Sequence, residues 1–231
     1  MLTSLDNPKI KALMKLKKAK ERKKEKKFIV EGPHLVEEAK KLNLLIEAFS
    51  IDEKEGYTSI SKQMMDKIAE TDTTVTEIGL CKMIESDKLT DKILILDAVQ
   101  DPGNLGAMMR SANAFGFKTI VLGDGSCDIY NPKVIRSSQG AIFKLNFLHK
   151  NIVEFIDELN DYDIYGTSVV NGIELDNVTM NKKIAIILGN EGNGISEEVF
   201  KKLNKNIYIP MENTESLNVS VAASIIMYKL R

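Results

Sequence analysis

Five consecutive apolar residues, Ile184 to Leu188, give this chain a segment with no polar side. A strand of that kind is buried on both faces, as in a parallel sheet that carries helices above and below. Further strands are predicted at 93–99, 119–122, 144–148, 164–169 and 207–209, and helical patterns separate most of them. The second part of the chain is therefore predicted to be an α/β domain with a doubly wound sheet.

The first 90 residues predict a smaller α/β domain. Strands are expected at 28–30, 45–51 and 74–78, and helices at 33–42, 59–69 and 79–85. A polar stretch at 85–92 has the composition of a linker. The predicted division is an N-terminal domain of residues 1–90 and a C-terminal domain of residues 91–231.

Charge is distributed very unevenly along the chain. Residues 1–27 carry eleven Lys and Arg against three acidic residues, a net charge of +8, which leaves −9 for the other 204 residues. Asn7-Pro8 is typical of a helix start, and Ile10, Leu13 and Met14 predict its inner face. Such a basic arm favours a polyanionic partner such as RNA. The alternative is a Lys-rich helix face that only contacts water.

Several function classes are excluded or disfavoured by composition and motifs. Two cysteines and two histidines are too few and too scattered for a disulfide framework or a zinc site, so no metal is expected. The glycine-rich dinucleotide motif, the P-loop and the H-E-x-x-H motif are absent. No apolar run approaches the roughly 20 residues of a membrane helix, and no apolar leader is present. A cytoplasmic protein with no membrane contact is expected.

The loops that follow the predicted strands of the second domain are the places to search for a site, because ligands of doubly wound sheets bind there. In the first loop, 100–116, Asn104 suits the N-cap of the following helix. Arg110 is the only charged residue from 102 to 117, so it is expected to be partly buried and to need a partner or a phosphate. The alternative is a structural arginine with its head in water.

The second loop, 189–196, is rich in glycine, and Glu191 is its only charged residue. One unmatched charge of each sign at the same edge of a sheet predicts an ion pair between Glu191 and Arg110. The alternative is a tight turn with an exposed glutamate.

The third loop runs from Ile209 into a final helix. The helix has a face of small residues that another backbone, helix or ligand can approach closely. Either Ser216 or Asn218 is predicted to cap this helix.

Together, the motifs of the three loops resemble those of the SpoU-type RNA 2′-O-ribose methyltransferases, a branch of the SPOUT superfamily. They are Asn104-x-Gly106-x-x-x-Arg110, then Leu188-Gly189-Asn190-Glu191-Gly192-x-Gly194-Ile195, then Ile209-Pro210-Met211 with Ser216-Leu217-Asn218-Val219-Ser220-Val221-Ala222. Phe28-Ile29-Val30-Glu31-Gly32 is similar to the start of the family's N-terminal substrate-binding domain, which has a ribosomal-protein-like fold.

The resemblance implies a fold that composition does not suggest. The chain from about residue 184 to 231 would thread into a deep trefoil knot, where sequence rules alone predict an unknotted sheet. S-adenosylmethionine would bind at the knot against Gly189, Ile209 and Leu217, with Thr167 nearby by analogy. The resemblance also implies a homodimer built on the knot region and the final helix, and an RNA substrate, with ribosomal RNA favoured over transfer RNA.

It also implies catalytic roles for Arg110, Asn104, Glu191, Ser216 and Asn218. Arg110 would hold a phosphate and stabilise the developing alkoxide or, in an apolar site, act as a base; Asn104 and Glu191 would orient it. Ser216 and Asn218 would shape the pocket. Glu212 and Glu215 depart from the family pattern and bear on substrate choice. Two rival classes are a catalytically silent RNA-binding module, which would lack Asn104, Arg110 or Glu191, and a small-molecule enzyme, which would not need the basic arm.

Overall fold

A computed structural model gives the structure of the chain at residue 2 and at residues 4–71, 74–84, 86–169, 172–179 and 182–231. The chain forms two compact units. The first contains Met1–Ile84 and Asp128–Phe143, and the second contains Glu85–Cys127 and Lys144–Arg231. The predicted division ran along the chain without a break, whereas residues 128–143 return to the first unit in the structure.

The first unit is built on a four-stranded sheet. Its strands are β1 (Lys27–Glu31), β2 (Leu45–Ser50), β3 (Thr58–Ser59) and β4 (Glu77–Lys82), in the spatial order β1-β4-β2-β3. Strand β4 pairs antiparallel with both β1 and β2, and β3 pairs parallel with β2. The helices of the first part of the chain are α1 (Pro8–Lys15), α2 (Ala19–Glu25), α3 (Pro33–Lys41) and α4 (Lys62–Ile68).

The predicted helix at 79–85 is wrong, because most of this segment belongs to β4, and Glu85 lies outside the described residues. Leu80 and Cys81 have partners in both β1 and β2, so long-range pairing on both sides overrides the local helical pattern. A side chain at Gly79 would meet Leu45 and Val30, which explains the glycine at the centre of the sheet.

The basic arm is partly a structural element. Asn7 caps α1 by accepting a hydrogen bond from the Lys9 amide, and Ile10 and Leu13 are buried in the core, as predicted. Arg22 of α2 is also buried, and its guanidinium donates to a carboxylate oxygen of Asp128 at 2.6 Å. The lysines are therefore displayed by a segment that is itself fixed to the first unit.

Residues 128–143 join the first unit through aromatic packing. Their helix is α6 (Pro132–Ser138), and a single 3-10 turn follows at Ala141–Lys144. The ring of Phe28 lies 4.7 Å from that of Tyr130 and 6.4 Å from that of Phe143. The Tyr130 hydroxyl also accepts a hydrogen bond from the Ile84 amide at 2.8 Å.

The second unit contains a seven-stranded sheet in which every pairing is parallel. Its order is β7-β6-β5-β10-β8-β11-β9. The strands are β5 (Lys92–Leu96), β6 (Thr119–Leu122), β7 (Asn146–His149), β8 (Asp163–Thr167), β9 (Ile173–Glu174), β10 (Ile184–Leu188) and β11 (Asn206–Tyr208). The helices are α5 (Pro102–Phe115), α7 (Ile152–Glu158), α8 (Glu197–Lys202) and α9 (Val219–Lys229). The prediction of a parallel α/β sheet is confirmed.

Both faces of the central strands are covered. Ile93 and Ile95 of β5 pack in one core with Phe155 of α7 and Val199 of α8. The alternating residues of β5 point to the other face and are equally buried. Ser111 of α5 and Ser224 of α9 are hydrogen-bonded at 2.7 Å, so the small-residue face of the final helix receives α5.

Candidate functional site

A cavity of about 670 Å³ lies at the carboxyl edge of the parallel sheet. Because all strands run in one direction, the loops after β8, β10 and β11 reach the same edge. The cavity is lined by residues 167–169, 188–195, 200, 207–209, 211, 216–219, 222 and 226. Gly189, Ile209, Leu217 and Thr167, the predicted cofactor residues, all lie in this lining, together with Glu191, Ser216 and Asn218.

The loop after β10 is a tight turn that closes on itself. Asn190 and Gly194 exchange two backbone hydrogen bonds, each 2.9 Å long, and the Asn190 side chain accepts another from the Gly192 amide. Gly194 has a φ of +70°, and a Cβ on Gly189 would overlap the backbone of Gly194 and Ile195. Glycine is therefore required at both positions for the turn to form the floor of the cavity.

Two bonds attach this turn to the end of β5. The Ser196 amide donates to the buried carboxylate of Asp97 at 2.7 Å, and the Asn190 side-chain amide donates to the Ala98 carbonyl at 2.9 Å. Ala98 has a φ of +56°, which is uncommon for a residue with a side chain. The sequence analysis missed Asp97, although an acidic residue that ends an apolar strand is a detectable signal, and it gave no role to Asn190 of the second motif.

Glu191 accepts hydrogen bonds from the start of α5. Its carboxylate receives the Asp101 amide at 3.1 Å, the Gln100 amide at 3.3 Å and the Asn104 side-chain amide at 3.2 Å. Partial burial opposes ionisation, but hydrogen bonds from its own amide, Asn104, Asp101 and Gln100 outweigh it and lower the pKa of Glu191. The carboxylate therefore acts as a fixed anion that joins two loops.

The predicted ion pair between Glu191 and Arg110 is wrong for the described residues, where Glu191 contacts the groups named above and Arg110 has no carboxylate within salt-bridge distance. The expectation that Arg110 is partly buried is also wrong, since it is exposed. Helix α5 buries Leu105, Met108, Met109 and Ala112, and this leaves Arg110 on its outer face. Arg110 lies outside the cavity lining, and its catalytic role stays a prediction.

The sequence predicted Asn104 as the N-cap of α5, and this prediction is wrong. Asp101 takes that place and accepts the Asn104 amide at 2.8 Å, because Pro102 occupies the first helical position. The side chain of Asn104 is thereby free for the site. It donates to Glu191 and accepts from the Asn218 side-chain amide at 3.0 Å.

Asn218 is the N-cap of α9, which confirms one of the two predicted caps. Its side-chain oxygen accepts from the Ser220 amide at 2.9 Å and the Ser220 hydroxyl at 2.7 Å. Glu191, Asn104 and Asn218 thus form one chain of hydrogen bonds through all three loops. Ser216 is exposed at the cavity, and its carbonyl accepts from the Thr214 hydroxyl at 3.1 Å.

Within the described ranges, no helix has the length and apolar character of a membrane crossing, and no three His, Cys, Asp or Glu residues are grouped to hold a metal ion.

Comparison with known proteins gives consistent family matches along the chain. A profile described as SpoU rRNA Methylase family matches residues 91–228, and one described as MRM3-like substrate binding domain matches residues 7–79. The 23S rRNA (guanosine(2553)-2′-O)-methyltransferase RlmP of Bacillus subtilis (strain 168) is 37% identical over 244 aligned positions. This alignment covers 100% of the present chain and 98% of the relative.

Solved structures share the whole fold. An RNA 2′-O ribose methyltransferase is 27% identical with a TM-score of 0.83, over 99% of this chain and 97% of that one. The AdoMet-bound rRNA methyltransferase from Sinorhizobium meliloti is 24% identical with a TM-score of 0.88, over 100% of this chain and 96% of that one. The second likeness concerns the fold alone.

Proposed function

Because the chain belongs to the SpoU rRNA methylase family, we propose that it transfers a methyl group from S-adenosylmethionine to a ribose 2′-hydroxyl of 23S ribosomal RNA. The observation that carries this function is the 37% sequence identity, over the whole chain, to the Bacillus subtilis enzyme, whose name specifies that reaction on a guanosine. The chain is an RNA 2′-O-methyltransferase, and a silent RNA-binding module is not supported. Asn104, Arg110 and Glu191, which such a module would lose, are all present.

The cavity has the size and lining that S-adenosylmethionine requires. Its volume of about 670 Å³ falls within the roughly 300–1,000 Å³ of small-molecule sites. Leu188, Ile207 and Ile226 provide apolar walls, and the loop backbone provides polar groups. Gly189, Ile209 and Leu217 hold the adenosyl part through their backbone, with Thr167 beside it. When bound, S-adenosylmethionine would supply a methyl group carried on a sulfonium, for which the leaving group is a neutral thioether.

The residues of the chain then have to align the hydroxyl and manage one proton. Arg110 carries a planar guanidinium, which offers several N–H donors and no acceptor. Its exposure favours the role of holding a phosphate and stabilising the developing alkoxide over the role of a base, which would need an apolar site. Ser216 contacts the ribose at the mouth of the cavity.

Asn104, Glu191 and Asn218 act as positioning residues in this proposal. The bonds of 3.2 Å and 3.0 Å that Asn104 makes connect the loop after β10 to the first turn of α9. These segments supply most of the cavity lining. The chain of hydrogen bonds therefore keeps the cavity in shape before the cofactor arrives.

The functional unit is a homodimer that forms through the knot region and α9. Val221, Ile225 and Tyr228 are spaced along one face of this helix and are 47%, 39% and 53% exposed. An exposed apolar stripe of this kind is typical of an interface. The partner is a second copy of the chain.

The segment from residue 184 onward forms the trefoil knot in the same proposal. Strand β11 lies between β8 and β9, but α9 packs on α5, which follows β5 on the far side of β10. The chain has to cross back over the carboxyl ends of β8 and β10, which supports a threaded path. The proposed location is the cytoplasm, where ribosomal RNA is found. Glu212 and Glu215, both exposed, influence substrate choice.

The experiment is to map ribose methylation in total RNA from cells with and without the gene. A 2′-O-methyl group blocks alkaline cleavage, so its loss appears as a new cleavage position. In cells without the gene we expect one new cleavage position in 23S rRNA, which disappears again when the wild-type gene is returned and persists when Arg110→Ala is returned. A new cleavage position in transfer RNA alone would mean that transfer RNA, and not 23S rRNA, is the substrate. The absence of any new cleavage position would refute the function.

A further inference from the structure

The first unit has a cavity of its own, with a volume of about 240 Å³. Its floor is apolar and consists of Leu13, Leu16, Phe49 and Leu80. Lysine and glutamate side chains from α1, α2, β1 and β2 surround the opening. Pockets for drug-sized ligands have volumes of about 300–1,000 Å³, so this cavity suits a smaller group, of the size of a single base.

The charges around the opening favour a ligand that carries phosphate. Lys9 is paired with Glu47 at 2.8 Å, and Lys24 lies 4.0 Å from Glu25. Lys15 and Lys27, in contrast, have no carboxylate partner in the part of the chain that the structure describes. They belong to the 1–27 arm, whose net charge is +8. A nucleotide has an apolar base and a charged phosphate, so it matches an apolar cavity with unpaired cations at its edge better than a protein side chain does.

We infer that this cavity receives one unpaired base of the RNA substrate, with the adjoining phosphates held by Lys15 and Lys27. Proteins read single-stranded RNA by taking splayed bases into pockets, whereas the bases of a duplex are stacked and paired. An arm that bound RNA through charge alone would need only its lysines and would not need this cavity. Carboxylates such as Glu21 and Glu25, which also line the cavity, accept hydrogen bonds and favour a base with an amino group, such as cytosine.

This inference rests on the proposed function only in taking RNA as the ligand. Its test is a change that fills the cavity without changing charge. Ala12 is exposed on α1 and lines the cavity, so Ala12→Trp places an indole in the opening. The matched control is Ala19→Trp, at an alanine of the same arm that is also exposed and lies outside the lining. Both variants are made in the full chain and checked by circular dichroism.

The probes are a fluorescein-labelled oligocytidylate of about twelve nucleotides and an RNA duplex of about twelve base pairs, a length within the span of single-strand sites. We expect Ala12→Trp to weaken binding of the single strand about tenfold, equivalent to about 1.4 kcal/mol, and to leave the duplex unchanged. Ala19→Trp should change neither. Unchanged single-strand affinity for Ala12→Trp, or equal weakening of both probes, overturns the inference.

A second pair of variants does not depend on tolerance of tryptophan. One double variant changes Lys15 and Lys27 to Ala. The control double variant changes Lys20 and Lys23 to Ala; it removes the same charge, and both of its lysines are exposed and lie outside the lining. The first double variant should weaken binding of the oligocytidylate more than the control double variant does. Equal losses of affinity in the two variants would refute a localised site. Binding of these probes is independent of methyl transfer. A failed methylation map with a positive probe result would therefore reject the function and keep the base site.

Discussion

Replacement of Asn104 by Ala tests whether the hydrogen-bond chain shapes the cofactor cavity. The variant loses the bond to the Glu191 carboxylate at 3.2 Å and the bond from Asn218 at 3.0 Å. A bond to a charged group contributes about 1.5–3 kcal/mol and a neutral one about 0.5–1.5 kcal/mol. Since water reaches these groups, the low ends apply, and their sum is about 2 kcal/mol or about 30-fold in an equilibrium constant.

We therefore expect Asn104→Ala to weaken S-adenosylmethionine binding by up to about 30-fold, measured by calorimetry. The matched control is Asn113→Ala in the same helix, whose side chain bonds only to Lys118 among the described contacts. Asn104→Asp should be at least as damaging, because it places a carboxylate against Glu191 and removes the donor.

A double-mutant cycle separates this bond from the capping role of Asn218. Asn218→Ala alone also loses the cap of α9, worth about 1 kcal/mol. If Asn104 and Asn218 act through their shared bond, the two changes together should weaken cofactor binding by about 0.5 kcal/mol less than the sum of the single changes. Strict additivity, or wild-type affinity in Asn104→Ala, would refute the reasoning.

Four further predictions concern other parts of the protein. Arg110→Ala should reduce methyl transfer severely and change cofactor affinity by only a few-fold, and Arg110→Lys should stay slow because it lacks the planar fork; near wild-type single-turnover rates for Arg110→Ala would make the residue non-catalytic. S-adenosylmethionine should raise the melting temperature, and a chelator should leave activity intact; no thermal shift at saturating cofactor would contradict this. The lowered pKa of Glu191 means that its stabilisation is present above the unfolded pKa and disappears as pH falls through the folded value. Glu191→Gln should therefore lower the melting temperature more at neutral pH than in acid below the ordinary pKa range of a glutamate, and a pH-independent difference would speak against it. Ile225→Asp should convert a dimer to a monomer in light scattering, with Leu89→Asp, at a similarly exposed position, as the control; a monomeric wild type would end the dimer proposal.

The parallel sheet was predictable because its signal is local and strong. Ile184–Leu188 and Thr119–Leu122 became strands with the bounds that the sequence predicts, since a near-continuous apolar run is typical of a strand buried on both faces. Asn7 before Pro8 likewise marked the start of α1, because capping depends on neighbouring residues only. The motif residues of the three loops could also be placed at one edge of the sheet, since parallel strands share their carboxyl edge.

The partners of the polar side chains could not be predicted from the chain alone. Glu191 and Arg110 were each the only charge in their segments, and pairing them was reasonable, yet the turn of α5 directs Arg110 outward and presents two backbone amides and Asn104 to Glu191. The direction in which Arg110 points depends on the rotation of α5 about its own axis. The packing of Met108 and Met109 against the core sets that rotation.

Taken by itself, the sequence determined what depends on local pattern: the α/β class, most elements, the three motifs and, through them, the family. Only the tertiary structure decided what depends on distant residues: β4 in place of a helix, residues 128–143 in the first unit, and the bond from Asn218 to Asn104 across 114 positions. The physical reason is that periodicity and capping are short-range, whereas pairing, packing and hydrogen-bond partners are fixed by contacts that form only when the chain is folded.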